Sequence, residues 1–196
     1  MSKDRIIKAA IEVFSENEYH LASMDEIALR AQVAKGTLYY NFPGKSQLFK
    51  TVVKSTFEDF IRRIEADLQS FIPLKDKIQQ TIRHHLDLFL ESRHLSHVVF
   101  NDTSNGFEED VLSELKLLRQ EHLNFLAKIL EEGKCDENYL RDLDSNLAAV
   151  SIIGTLESTS KYYLSHQNEY SRDDLERQVF TMITMSLFNS IDYGHK

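Results

Sequence analysis

The stretch over residues 23–45 constrains the fold of this chain more than any other. Ser23 and Glu26 have the S-x-x-E spacing that caps the start of a helix. Apolar residues then recur at spacings of three and four, which predicts a short helix with one buried face. These residues are Met24, Ile27, Ala28 and Ala31. A second short helix is predicted over residues 34–41, and two short helices joined by a tight turn form a helix-turn-helix unit.

The second predicted helix has one apolar side and one side suited to contact with DNA. Leu38 is its apolar anchor, and Phe42 follows one turn later, just before Pro43 and Gly44. Gly36 costs about 1 kcal/mol relative to Ala inside a helix, so its presence predicts a close backbone approach. The remaining positions are small, hydroxyl-bearing, amide or cationic. The predicted DNA-binding residues are Lys35, Gly36, Thr37, Tyr39, Tyr40, Asn41 and Lys45.

Two kinds of DNA contact are expected within this set. Thr37 and Tyr40 are predicted to contact base edges, where sequence is recognised. Tyr39, Lys35 and Lys45 are predicted to contact phosphates, which position the protein on the duplex. A rotation of so short a helix would exchange the two groups. For the whole stretch, the alternative is a helical hairpin that binds protein.

These residues resemble the recognition-helix signature of TetR-type transcriptional regulators. Residues 33–49 read V-A-K-G-T-L-Y-Y-N-F-P-G-K-S-Q-L-F, and S-M-x-x-I-A-x-x-A over residues 23–31 is similar to the preceding helix of that family. The match covers about residues 5–50, and the rest agrees in length and helical pattern. The resemblance implies a DNA-binding domain over residues 1–45 and a ligand-sensing and dimerisation domain over residues 46–196.

Three positions depart from the family pattern. The family often has glycine at the turn, where this chain has Gln32, and a hydroxyl residue where Ala34 stands, so the usual side-chain cap is lost. It also usually has glycine before the aromatic residue after the first helix, whereas Glu18 precedes Tyr19 here. Asn17 can adopt the left-handed conformation and is expected to close that helix instead.

Composition and charge bound the fold class and the compartment. Only two prolines and six glycines occur in 196 residues, without long alternating β-branched runs, which predicts an all-α protein. No run of 18 apolar residues occurs, so no membrane span is expected. The single cysteine, Cys135, fits a reducing cytoplasm. Residues 1–54 contain eight basic and six acidic residues and carry +2, so the remainder of this −8 chain carries −10. That asymmetry has the sign expected of a DNA-binding head.

Apolar periodicity predicts about nine helices in all. Beyond the two described, they span about residues 3–15, 45–71, 74–92, 94–100, 107–132, 145–164 and from 171 onward, with Gly133 as a stop signal. The first is expected to bury Ile7, Ala10, Ile11 and Phe14. Its charged start, with Lys3 and Arg5, is either a phosphate contact or a solvated helix end. A polar loop is predicted over residues 101–106.

The last two predicted helices are candidates for a homodimer interface. The first of them is rich in small residues that allow close helix approach, and the second is apolar on nearly every side. The predicted interface residues are Ser151, Gly154, Thr155, Ser158, Val179, Met182 and Ile183. An intrachain core is the alternative for part of this surface. A protein that reads half-sites usually works as a pair, and the resemblance implies the same.

A small-molecule pocket in the second domain is implied by the resemblance. Residues that could line it are aromatic, aliphatic or polar on apolar faces: Phe60, Ile64, His85, Phe89, Phe100, His122, Phe125 and Glu157. Plain core packing or a satisfied buried hydrogen bond is the alternative for each. Apolar walls with few polar groups suggest a largely hydrophobic effector.

No metal site, cofactor or catalytic centre is predicted. His94 and His97 are three residues apart and His84 and His85 are adjacent, but no acidic residue or cysteine completes a recognisable ligand set. Nucleophile and phosphate-loop motifs are absent, so an all-α enzyme is the less favoured class.

The sequence therefore predicts a ligand-responsive, sequence-specific DNA-binding transcriptional regulator. It is expected to be a cytoplasmic, homodimeric repressor that binds a palindromic operator in double-stranded DNA. A small, largely hydrophobic effector is expected to release it. The alternatives are an activator and a DNA-binding regulator that needs no effector.

Overall fold

The computed structural model describes residues 2–68, 72–91, 94, 95, 98, 107–136 and 142–188. Within this part of the chain the regular structure is eight α-helices and no β-strand, so the predicted all-α class is confirmed. The helices are α1 (Ser2–Glu16), α2 (Met24–Arg30), α3 (Lys35–Asn41), α4 (Lys45–Leu68), α5 (Leu74–Glu91), α6 (Glu109–Asp136), α7 (Ser145–Ser165) and α8 (Arg172–Leu187). The helix predicted over 94–100 and the loop over 101–106 lie largely outside the described residues.

The helices group into two compact units. Unit 1 comprises Met1–Arg62 and Glu91–Arg119, and unit 2 comprises Arg63–Leu90 and Gln120–Lys196. Helices α4 and α6 each begin in unit 1 and end in unit 2. The resemblance predicts a division after residue 45 between a DNA-binding domain and a ligand-sensing domain. That division is by function, does not coincide with these two units, and stays a prediction.

Unit 1 contains the three helices of the DNA-binding head, α1, α2 and α3. The predicted apolar face of α2 is buried, and Leu38 and Phe42 are buried at α3. On α1 the buried stripe is Ile6, Ala9, Ala10, Val13 and Phe14. The prediction of Ile7 and Ile11 as buried was wrong, since both are only half-buried. Because residues 6 and 7, and 13 and 14, are all apolar, periodicity alone could not distinguish two helix rotations one residue apart.

The turns of the head explain the departures from the family pattern. Gln32 has φ of 53°, so this residue takes the left-handed conformation at the position where the family often has glycine. Ala34 is the N-cap of α3 and makes no side-chain cap hydrogen bond, as expected. Asn17 is not left-handed, contrary to prediction. It ends α1 differently, because both its backbone N–H (3.0 Å) and its side-chain amide (3.1 Å) donate to the Val13 carbonyl.

The capping boxes at the starts of α2 and α8 differ in how completely they form. At α2, Ser23 Oγ accepts from the Glu26 N–H at 3.1 Å, while the Glu26 carboxylate accepts from Arg30 at 2.8 Å. At α8, Ser171 Oγ accepts from the Asp174 N–H at 3.1 Å, and the Asp174 carboxylate accepts from the Ser171 N–H at 3.4 Å. The α8 box is therefore reciprocal, which fixes the start of that helix.

Unit 2 buries one apolar core contributed by α5, α6, α7 and α8. From α8 the core takes Leu175, Val179, Ile183 and Leu187, a stripe with a spacing of four. The prediction that Gly133 ends α6 was wrong, because the helix continues to Asp136. A Cβ at Gly133 would clash with the side chain of Leu74, so this glycine lets the start of α5 pack against α6. No helix in the described part of the chain is long and apolar enough to span a bilayer.

Candidate functional site

Helix α3 presents one continuous face away from its own chain. Leu38 is fully buried, and at about 100° per residue the positions opposite it are Gly36 and Tyr40, flanked by Thr37 and Tyr39. Tyr40 is 89% exposed and Tyr39 48% exposed, whereas Thr37 is half-buried. The outward face of α3 therefore combines a bare backbone position with hydroxyl groups, which can contact base edges and phosphate oxygens.

Within the described residues, nothing around Gly36 requires a glycine at this position. It lies in the first turn of α3, and an added Cβ there would have no atom within 4 Å. A glycine at such a position costs helix stability without relieving any intrachain clash. The absence of a side chain is therefore useful only to something that approaches this face from outside.

The cations nearest this face are paired with carboxylates of the same unit. Lys35 Nζ lies 2.6 Å from Asp25 Oδ2, at the start of α2. Arg30 lies 2.6 Å from Glu16 and 2.8 Å from Glu26, and the carboxylates raise the pKa of this guanidinium further above its usual range. Since exposed ion pairs contribute only about 0–1 kcal/mol, a phosphate could replace such a carboxylate at little cost.

Lys45 lies differently from what its predicted role requires. Its ammonium donates to the carbonyls of Tyr19 (2.9 Å), His20 (3.4 Å) and Ala22 (3.2 Å), and it lies 4.6 Å from the centre of the Tyr19 ring. A phosphate contact would require the ammonium to leave these acceptors. Sequence reasoning missed this contact because nothing in the sequence relates Lys45 to carbonyls about 25 residues earlier. The arrangement favours a role in holding the turn between α1 and α2.

Other predicted positions lie at the edge of the α3 face. The Asn41 side-chain amide donates to the Thr37 carbonyl at 2.7 Å, so Asn41 also supports the end of α3. Lys3 Nζ lies 5.8 Å from the centre of the Phe42 ring, and Arg5 is exposed on α1. A phosphate contact by that charged helix start stays a prediction.

A second polar feature lies inside unit 2, where two predicted pocket residues meet. His85 on α5 and His122 on α6 are each about 1% exposed, and their Nε2 atoms are 2.6 Å apart. His85 Nδ1 lies 3.0 Å from the Thr81 carbonyl, which can only accept, so Nδ1 carries the proton. His85 Nε2 is then the acceptor and His122 Nε2–H the donor, an assignment made from the hydrogen-bond network.

Burial keeps this histidine pair neutral. Loss of solvation lowers the pKa of His85 to about 4, and it also lowers the pKa of His122 well below its usual value. With His122 in the tautomer assigned above, a proton on His85 Nε2 would place two N–H groups against each other, so this arrangement of the hydrogen bond requires a neutral His85. The pair fixes α5 against α6 by one directional bond within an otherwise apolar core.

The other predicted pocket residues are placed separately. Phe125 is half-buried against the core of unit 2, Glu157 pairs with Lys161 on α7 at 2.8 Å, and Phe100 lies outside the described residues. The remaining aromatic and aliphatic candidates are buried, in unit 1 for Phe60 and in unit 2 for Ile64 and Phe89. Their role in an effector pocket stays a prediction.

Helices α7 and α8 also present a face that unit 2 does not cover. Ser151, Gly154 and Ser158 are exposed and Thr155 is half-buried, and a Cβ at Gly154 would meet nothing within 4 Å. Large apolar side chains share this face. They are Leu147, Val150, Met182 and Met185. Two grooves of about 490 and 300 Å³ lie along these helices, and both include Met182.

Two of the predicted interface residues also belong to the core of unit 2. Val179 is 1% and Ile183 3% exposed, and both pack within the core of unit 2. They also line the two grooves on this face, Ile183 the larger and Val179 the smaller, so their part in an interface stays a prediction. Met182, one residue before Ile183 and about 100° around α8 from it, is 57% exposed and remains a candidate.

The described residues do not group into a metal site. No cluster of three or more His, Cys, Asp or Glu side chains is found in them. His84 lies 2.7 Å from Asp67, turned away from the pairing that His85 makes, and His97 lies outside the described residues.

Comparison with known proteins finds a family match for the N-terminal part of the chain and another for the C-terminal part. The profile described as "Bacterial regulatory proteins, tetR family" matches residues 6–52, and "Tetracyclin repressor-like, C-terminal domain" matches residues 72–187. The fatty acid metabolism regulator protein of Bacillus subtilis is 29% identical over 185 residues, 94% of this chain and 95% of that protein.

Solved structures give the same fold. Transcriptional regulator FadR from Bacillus subtilis, in complex with stearoyl-CoA, matches with a TM-score of 0.78 and 28% identity, over 94% of this chain and 98% of that one. AibR in complex with isovaleryl coenzyme A and operator DNA matches with a TM-score of 0.69 over 96% of this chain and all of that one. At 16% identity, the second likeness concerns the fold alone.

Proposed function

Because the chain belongs to the TetR family of bacterial regulatory proteins, we propose that it is a cytoplasmic homodimeric repressor released from its operator by a long-chain acyl-CoA thioester. The family consists of transcriptional regulators, and this chain is a ligand-responsive, sequence-specific DNA-binding regulator. The two matched profiles together span both the head and the regulatory part of the chain.

The outward face of α3 carries the proposal for DNA recognition. Gly36 and Tyr40 lie opposite the buried Leu38, and the position of Gly36 is open to an approaching backbone. Thr37 and Tyr40 would contact base edges, while Tyr39 would donate to a phosphate. Lys35, which pairs with Asp25 in the free protein, would exchange that carboxylate for a phosphate. The observation that supports this reading is a helix face without any intrachain function.

The uncovered face of α7 and α8 would hold two copies together. Small residues on α7 permit close helix approach, and Met182 and Met185 supply apolar area next to them. A twofold pair would place two α3 helices in major grooves on one side of the duplex, with half-sites about 34–36 Å apart or a multiple of that spacing. A palindromic operator follows from the twofold symmetry.

The effector class rests on the similarity to the Bacillus subtilis protein solved with stearoyl-CoA. Ile64, Phe89 and Phe125 in unit 2 provide buried or partly buried apolar side chains for an acyl chain. His85 on α5 and His122 on α6 are buried polar groups of the same unit. Binding would favour a form of the dimer with a different head spacing. A coupling of about 1–3 kcal/mol weakens operator binding 5- to 150-fold.

A selection followed by a competition assay tests this function. Purified protein would first select sites from random duplexes, which is expected to yield a palindrome. Fluorescence anisotropy with the selected site would then be followed against stearoyl-CoA, acetyl-CoA, free CoA and stearate. Release by stearoyl-CoA alone supports the proposal, and release by none of them removes the acyl-CoA assignment. Tighter binding with stearoyl-CoA would favour the activator alternative.

A further inference from the structure

An aromatic cluster in unit 1 joins the start of α6 to the DNA-binding head. Phe107, two residues before α6, has its ring centre 4.9 Å from that of Tyr19 and 5.7 Å from those of His20 and Phe49. Tyr19 and His20 lie in the turn between α1 and α2, and Phe49 lies in the first turns of α4. Tyr19 and Phe49 are almost fully buried, so Phe107 closes a core that the head would otherwise leave open.

Polar contacts surround this cluster and connect the same elements. The Tyr19 hydroxyl donates to Glu108 Oε2 at 2.9 Å, and burial together with this carboxylate raises the pKa of Tyr19. Asp110, in the first turn of α6, accepts from Ser46 Oγ at 3.2 Å and pairs with Lys50 Nζ. Ser46 and Lys50 are one turn apart on α4, so Asp110 bridges two successive positions of that helix.

Tyr19 links this cluster to the beginning of α4 by a second route. Its carbonyl accepts from the Lys45 ammonium, which also lies over its ring. Lys45 is the first residue of α4, and α3 ends only four residues earlier at Asn41. Any displacement of Tyr19 is therefore passed to the segment that carries α3.

We propose that Glu108 and Asp110 are positioning residues through which the effector state reaches the DNA-binding helices. We call the contacts of Phe107, Glu108 and Asp110 with Tyr19, Ser46 and Lys50 the α6 latch. The inference rests on the proposed acyl-CoA response and names the contact by which that response would reach the head.

The arrangement of α6 supports a role in signalling. The helix begins at the α6 latch and continues to His122, which bonds to His85 in the core of unit 2. Polar contacts with a defined direction hold α6 at the latch and at His122. A shift of the helix would therefore break or exchange these contacts. The carboxylates at the latch are exposed or half-exposed, and such contacts are weak enough for ligand binding to rearrange.

The test compares operator binding with and without stearoyl-CoA in the full-length protein. The main variant combines Glu108→Gln with Asp110→Asn, which keeps side-chain shape and removes both charges. Tyr19→Phe removes only the hydroxyl donor and keeps the ring. Glu132→Gln is the matched control, since it breaks an ion pair with Lys128 on the same helix, away from the latch. The operator Kd is measured by anisotropy, and stearoyl-CoA binding without DNA by calorimetry.

We expect wild type and Glu132→Gln to lose operator affinity 5- to 150-fold with stearoyl-CoA. The latch variants should bind stearoyl-CoA but show a release factor at least threefold smaller than wild type. The charge exchange Lys50→Asp with Asp110→Lys should recover part of the lost factor. That recovery would distinguish a positioning contact from general damage to the head.

Three results would overturn the inference. A release factor in the latch variants equal to that of wild type rejects the α6 latch while leaving the acyl-CoA proposal intact. Weaker operator binding with an unchanged release factor marks the cluster as structural only. Wild-type protein that is not released by stearoyl-CoA rejects the proposed effector, and the inference that rests on it fails as well.

Discussion

The outward face of α3 and the outward face of α7 and α8 are both left uncovered by the described part of the chain, but they carry opposite kinds of residue. Helix α3 is seven residues long, and opposite and beside the buried Leu38 it exposes a glycine and tyrosine hydroxyl groups. Helices α7 and α8 expose Met182, Met185 and other large apolar side chains beside small ones. Exposure alone therefore does not identify a partner. The polar face fits a hydrated phosphate backbone, and the apolar face fits another protein surface.

The largest expected effect comes from comparing an exposed and a buried residue that are neighbours on α8. Met182→Lys places a charge on the uncovered face, so we expect the dimer to dissociate and operator affinity to fall at least 100-fold. Ile183→Ala empties a core position and should lower the free energy of unfolding by about 2–5 kcal/mol. Light scattering measures the mass and chemical denaturation the stability. A dimer that survives Met182→Lys would mean that this face is not the interface.

A buried polar contact provides the next prediction and a contrast with both faces. The pKa of His85 is about 4 in the folded protein and near 6.5 when unfolded, so the unfolded chain binds more protons between these values. The contribution of neutral His85 to the free energy of unfolding is fully present above about pH 6.5. It decreases as the pH falls and is absent below about pH 4. The contribution is on the order of 3 kcal/mol, and His122 acts in the same direction.

Replacing the histidine pair tests this linkage. His85→Leu together with His122→Leu replaces donor and acceptor by apolar groups, which can be nearly neutral at pH 7. The double variant should lose less stability than wild type between pH 7 and pH 4.5. His85→Leu alone removes the acceptor of the His122 Nε2–H and should cost about 1–3 kcal/mol at pH 7. Equal pH slopes for wild type and the double variant would contradict the assignment.

Gly36 gives a prediction in which stability and function change in opposite directions. Gly36→Ala should raise the free energy of unfolding by about 1 kcal/mol, because the position is helical and open. The added methyl group should nevertheless weaken operator binding about tenfold if DNA approaches this backbone closely. Chemical denaturation without DNA measures the stability, and anisotropy with the selected operator measures the affinity. Unchanged operator affinity for Gly36→Ala would show that DNA does not pack against this position.

The sequence predicted these surfaces unequally, for physical reasons. The face of α3 followed from spacing, because a single anchor at Leu38 fixes the rotation of a short helix. On α8 nearly every side is apolar, so the periodicity could not separate Met182 from Ile183. Only the packing of α8 in unit 2 decided which of them is buried.

Contacts between distant residues were the least predictable. His85 and His122 were each recognisable as polar residues on apolar helix faces, but their bond spans 37 residues and depends on how α5 meets α6. Gln32 shows the converse case. The sequence departs from the family pattern there, yet the backbone keeps the left-handed turn with a residue that tolerates it less well than glycine.

The smallest expected effect concerns the cations beside α3, and it decides which of them contacts phosphate. If Lys35 exchanges Asp25 for a phosphate, Lys35→Ala should reduce the slope of log K against log salt by about 0.9. Asp25→Asn should tighten binding to all duplexes about two- to threefold, since no internal partner then competes. Lys45→Ala should leave the slope unchanged and lower thermal stability, because its ammonium bonds the carbonyls of residues 19, 20 and 22. Anisotropy titrations over a range of salt concentrations measure all three. A slope that falls for Lys45→Ala and not for Lys35→Ala would exchange the two assignments and return Lys45 to the phosphate contacts.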